Sequence, residues 1–114
     1  MDGIEIFEHG CEGFKELMRY QGWRICMLNY AERFIEGREL VLERHLETDE
    51  AFLLLCGQAT LTIGEQMVKY PLEPLKVYNV KKGTWHATEC APGTQILVIE
   101  NSDTTPANSE KLIK

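Results

Sequence analysis

Residues 37–57, GRELVLERHLETDEAFLLLCG, hold the pattern that decides the fold. Two glycines, Gly37 and Gly57, enclose three spaced polar groups. Five residues separate Gly37 from Glu43, one separates Glu43 from His45, four separate His45 from Glu50, and six separate Glu50 from Gly57. Leu40-Val41-Leu42 opens a strand, and Leu46-Glu47-Thr48-Asp49 is a turn-prone interruption. Residues 51–56 make a second strand, hinged at Gly57-Gln58 to a third over 59–63. Cys56, at the end of an apolar run, reads as a small buried hydrophobe.

The same short-strand grammar extends outward from that stretch. Residues 3–7 read as a first strand and 23–30 as another, with 31–37 a loop. Residues 67–70 form a short strand that Pro71 and Pro74 keep away from the centre of a sheet. Strands over 76–80, 84–88 and 95–100 complete the series. Phe14, Leu17 and Met18 recur at helical spacing, so 12–20 is expected to form a short N-terminal helix that Gly22 ends. The tail from Asn101 is polar and is expected to lie along the surface. Strands separated by turns roughly every 8–12 residues argue for an all-β sandwich or closed barrel.

Composition agrees and narrows the function. A chain of 114 residues fits one domain, with a core over about 23–100, an N-terminal strand and helix over 1–22 and a tail over 101–114. The net charge is −6, and basic residues gather no further than Lys81-Lys82. A nucleic-acid or anionic-membrane surface needs a basic patch, so neither partner is expected. No apolar run approaches the roughly 18–20 residues that span a bilayer, and the acidic start lacks the features of a secretory leader. The expected compartment is the cytoplasm. Cys11, Cys26, Cys56 and Cys90 stand far apart and read as free thiols there, not as a disulfide frame or a zinc ribbon.

Periodicity alone does not choose among all-β folds; the polar spacing does. A second pattern runs from Leu75 through Lys81, Gly83 and His86 to Cys90. Together the two stretches resemble the paired motifs of the cupins, G-x5-H-x-H-x(3,4)-E-x6-G and G-x5-P-x-G-x2-H-x3-N. Gly37, His45, Glu50 and Gly57 match the first motif, while Glu43 stands where its first histidine would be. Gly83 and His86 match the second, while Leu75, Lys81 and Cys90 replace its glycine, proline and asparagine. The chain is thereby similar to small single-domain cupins of the RmlC-like jelly-roll superfamily.

That resemblance implies a jelly-roll barrel, often paired into a homodimer, with a divalent metal ion (Mn, Fe, Zn or Ni) held inside by Glu43, His45, Glu50 and His86. Strand geometry is compatible with it, because residues two apart face one side, and so Glu43 and His45 converge. Glu50 returns to the same point after a short turn, and His86 arrives from the second motif. Replacing an imidazole by Glu43 shifts the set towards harder ions. Should Glu43 turn away, His45, Glu50 and His86 remain as a two-histidine, one-carboxylate set, and Glu43 becomes a proton-transfer group, the candidate catalytic residue. Trp85 should face the side opposite His86, towards the core between sheets or a dimer partner, Arg44 should point outward, and His9 belongs to neither motif. With Glu43 facing inward, Leu40 and Leu42 are expected to face outward and to need cover from a second chain. Two functions stay open. One is a metal-dependent enzyme or binder of a small polar metabolite, a sugar or an organic acid. The other is a metal-free, non-catalytic ligand-binding module.

Overall fold

In the computed structural model, which describes residues 3–34 and 40–113, alternating apolar residues form ten strands. They are β1 (Gly13–Tyr20), β2 (Trp23–Asn29), β3 (Val41–His45), β4 (Glu50–Cys56), β5 (Ala59–Ile63), β6 (Val68–Pro71), β7 (Val77–Val80), β8 (His86–Cys90), β9 (Gln95–Asn101) and β10 (Ser109–Ile113). Two five-stranded sheets result, ordered β1-β2-β9-β4-β7 and β10-β3-β8-β5-β6, and each ladder is antiparallel. The inward residues of both sheets meet in one core that includes Cys26, Phe52, Leu54, Leu61, Ile96 and Val98. No ladder joins the two sheets among the described residues, so the expected closed barrel is an open one.

The expected N-terminal helix over 12–20 is instead strand β1. A bulge between Glu16 and Met18 inserts Leu17 into the ladder with β2. That extra residue gives a strand the apolar spacing of a helix, which is why the period misleads. Residues 4–10 form no strand either, and Ile6 is 76% exposed. Asn29 Nδ2 donates to the carbonyls of His9 and Cys11, holding this segment as a loop.

The C-terminal segment is also more ordered than a surface tail. Thr105 caps a 3-10 turn over Pro106–Asn108, and Leu46 N donates to Asn108 O at 2.9 Å. The chain thus turns back and lays β10 along β3, with Ser109 opposite His45 and Lys111 opposite Glu43. Leu42 is fully buried within the one chain, so the cover expected from a partner is already supplied there; Leu40 is half-buried. Cys56 is exposed, because a bulge between Leu54 and Cys56 breaks the alternation at the end of β4.

Gly57, the closing glycine of the first motif, has a positional reason. Its φ is +89°, and a Cβ there would sit 2.5 Å from Thr94 Cα. Thr94 Oγ1 accepts from Gln58 N and donates to Gln58 O, so the β4–β5 hinge is clamped against the turn before β9. Gly37, the opening glycine of that motif, lies outside the described residues.

Candidate metal centre

Two loop contacts bring the motifs together. Gly83 N donates to His45 O at 2.7 Å, and Asp49 Oδ1 accepts from Lys82 N at 2.9 Å. Asp49 Oδ2 accepts from Asn79 Nδ2, and these bonds lower its pKa, the Asn79 bond most. The turn ending β3 is therefore tied to the turn opening β8. Glu43 pairs directly with His86 across β3 and β8, so the two motifs share a register.

The structure brings all four motif residues to one wall of a cavity of about 800 Å³ between the sheets. Glu43, His45 and His86 come from one sheet and Glu50 from the other. Glu50 Oε1 is the meeting point, 2.8 Å from His86 Nε2 and 3.2 Å from His45 Nε2. Glu43 Oε1 is 3.5 Å from His45 Nε2, and its side chain is 39% exposed while the other three are buried. His86 Nδ1 donates to Thr84 O, and His45 Nδ1 is 2.8 Å from Ser109 Oγ. Both rings are thus oriented by their far nitrogens, which aims each Nε2 at Glu50. Phe52 packs edge-on against His86, with ring centroids 5.9 Å apart.

Charge is shared closely here. Burial by itself would raise the Glu50 carboxyl, but hydrogen bonds from His45 and His86 hold it at about 2. Burial disfavours the charge on His86 and on His45, yet the hydrogen bond and charge of Glu50 outweigh it and raise both pKa values. In the absence of metal the three form a buried ion triad.

Two further charged groups on the same wall escaped the sequence reading, Glu100 on β9 and Arg24 on β2. Arg24 Nη2 donates to Glu100 Oε1 at 2.8 Å. The Glu100 carboxyl is raised by burial first and by the Glu50 charge next, against the pull of Arg24. Period-two alternation was the available signal. It puts Glu100 on the face of Ile96 and Val98, and Arg24 on that of Cys26 and Leu28, faces that are otherwise apolar core. Arg44 and Trp85 do turn away: the guanidinium lies 4.4 Å from the Trp85 ring centroid and its Nε donates to Glu110. His9 lies in a loop, where its Nε2 donates to Gly13 O.

Three solved structures set this architecture in context. A cupin-2 domain protein from Shewanella frigidimarina superimposes with a TM-score of 0.65 at 17% identity, over 82% of this chain and 84% of its own. A cupin superfamily protein from Desulfitobacterium hafniense gives 0.62 at 21% identity, over 84% of each chain. The fold is that of the cupins. The polyketide cyclase RemF from Streptomyces resistomycificus shares it, with a TM-score of 0.66 at 16% identity over 93% of this chain and 82% of its own. No family model and no curated protein sequence matches the chain.

Cupin folds commonly carry a metal, and the donors present fit one. Glu43, His45 and His86 offer ligand atoms within 4.8 Å of one another, and so do His45, Glu50 and Glu100. Imidazole and carboxylate donors together suit first-row divalent ions. Glu100 Oε2, buried and without a hydrogen-bond partner among the described residues, is the kind of atom that a cation would satisfy.

Proposed function

We propose that this protein binds a divalent metal ion through His45, Glu50 and His86, and that a small polar metabolite, a sugar or an organic acid, binds beside it. The observation that carries this reading is the single carboxylate oxygen, Glu50 Oε1, within 3.2 Å of two oriented imidazole nitrogens. When bound, such an ion supplies a Lewis acid that polarises an oxygen of the ligand. The protein's own groups do the remainder. Ser109 and Thr84 hold the rings, Phe52 keeps water from His86, and Glu43 stands on the accessible side where it can take or give a proton. The four cysteines are free thiols, and burial pushes Cys26 up to about 12 and Cys90 up to about 11, which suits an inert role for those two.

Elemental analysis of protein purified without chelator tests the reading. Close to one Mn, Fe, Zn or Ni per chain is expected, and His86→Ala should strip it while the fold persists. Glu43→Gln should retain more metal than Glu50→Gln. No metal in the wild type, and none taken up on reconstitution, overturns the reading. One observation favours a second reading, a metal-free binding module: Glu50 Oε1 already lies 2.8 Å from His86 Nε2 and 3.2 Å from His45 Nε2, so the three groups partner one another without an ion.

A homodimer belongs to the same proposal. Ile25, Ile99 and Ala51 align on the outer face of the first sheet, beside Met27, Leu97, Leu53 and Val77. Val77 is 69% and Ile99 40% exposed, and a second copy of this face is the natural cover. Light scattering at micromolar concentration should give twice the chain mass; a monomeric mass contradicts the expectation.

A further inference from the structure

Glu100 belongs to neither motif, yet it is buried in the wall that carries them. Its carboxylate is used at one end only. Oε1 accepts from Arg24 Nη2, while Oε2 has no hydrogen-bond partner among the described residues and lies 3.9 Å from His45 Nε2. An unsatisfied oxygen on a buried charged group is costly and calls for a ligand. Backbone contacts hold the group in place: Thr48 Oγ1 accepts from Asn101 N, fixing the end of β9 beside the turn that opens onto Glu50.

The charge count points the same way. Ligation requires neutral imidazoles. With His45 and His86 neutral, the two buried carboxylates Glu50 and Glu100 share one paired cation, Arg24. Arg33 and Lys111 line the same cavity without an ion pair to either among the described residues, which leaves one buried negative charge in excess. Glu16, the other acid near Arg24, is paired with Arg19 as well. A cation cancels that excess; a water molecule does not.

Building on the metal-binding reading, we propose that Glu100 is itself a metal ligand. Glu100 then joins His45, Glu50 and His86 from the deep side of the motif, with Arg24 holding its second oxygen. Glu43 stands on the more exposed side. Two carboxylates beside two imidazoles shift the set towards harder ions, so Mn(II) or Fe(II) is favoured over the softer preferences of a histidine-rich set.

Binding of Mn(II) alone to chelator-stripped protein, followed by the loss of the free-ion electron paramagnetic resonance signal, tests this without any assay of turnover. Glu100→Gln keeps an oxygen for Arg24 but removes the charge, and should weaken Mn(II) binding by about tenfold or more, as ligand loss does. Circular dichroism of the metal-free variant checks that it folds. Where it does not, Glu100→Asp keeps the charge, withdraws the oxygens by one methylene, and should show the same weakening. Wild-type-like affinity, within about twofold, in a folded Glu100 variant while His86→Ala loses its metal overturns the inference and leaves the metal-binding reading intact. Failure of the wild type to bind Mn(II), Fe(II), Zn(II) or Ni(II) overturns both.

Discussion

Replacing Glu50 by glutamine removes one charge from the centre of the buried triad and little else, since the amide oxygen keeps nearly the same shape and still accepts hydrogen bonds. In the folded protein the carboxyl is held at about 2 against an ordinary value of 4.5. A difference of that size corresponds to about 3 kcal/mol of stabilisation once the group is ionised in both states. The lowered carboxyl contributes fully above its unfolded value of 4.5 and loses that contribution as pH falls towards 2. His45 and His86 have the opposite sign. Their raised values contribute fully below the ordinary 6.5 and are lost as pH rises through the folded values. Metal-free wild type should therefore be most stable in mildly acidic solution, between those limits. Glu50→Gln should lower stability there by about 2–3 kcal/mol, a large part of the roughly 5–15 kcal/mol typical of such a domain. Urea unfolding followed by circular dichroism, with chelator present, reads this directly. At a slope of about 1–1.5 kcal/mol per molar urea the midpoint should fall by about 2 M, and the two proteins should converge near pH 2. Equal midpoints at pH 6, or a variant with the same pH profile as wild type, would refute the triad as a source of stability.

Other expectations follow from particular residues. Leu75 stands where the second motif has glycine, and it holds φ +67° with its side chain 78% exposed. Leu75→Gly should raise stability by about 0.5–1 kcal/mol, because relief of left-handed strain outweighs the added freedom of the unfolded chain; a lower melting temperature contradicts this. Gly57→Ala should cost about 3 kcal/mol or more, from the left-handed φ together with the clash against Thr94, and unchanged melting would remove the clamp from the account. Metal affinity should fall on mild acidification, since His45 and His86 must shed protons to ligate and both hold them above the ordinary imidazole value. The loss from pH 7 to pH 6 should be about tenfold to a hundredfold, measured by titration of Mn(II), and a flat profile excludes histidine ligation.

The sequence by itself determined the all-β class, the cupin resemblance and the gathering of Glu43, His45, Glu50 and His86. Those conclusions rest on local spacing, the period of two along a strand and the residues between motif positions, which survives whatever the rest of the chain does. Arg44 and Trp85 were placed correctly on the far side by the same alternation. Tertiary structure decided what local spacing does not carry. A bulge at Leu17 let residues 12–20 carry a helical apolar period inside a strand, because one inserted residue shifts every later side chain by one place. The pairing of β10 with β3 depends on a turn capped by Thr105 and on contacts some sixty residues apart in sequence. Glu100 and Arg24 are the plainest case. They join the site only because β9 pairs with β4 and β2 with β9 in one sheet, and that sheet packs across from β3 and β8; a buried charge becomes a functional candidate through the neighbours that the fold sets beside it.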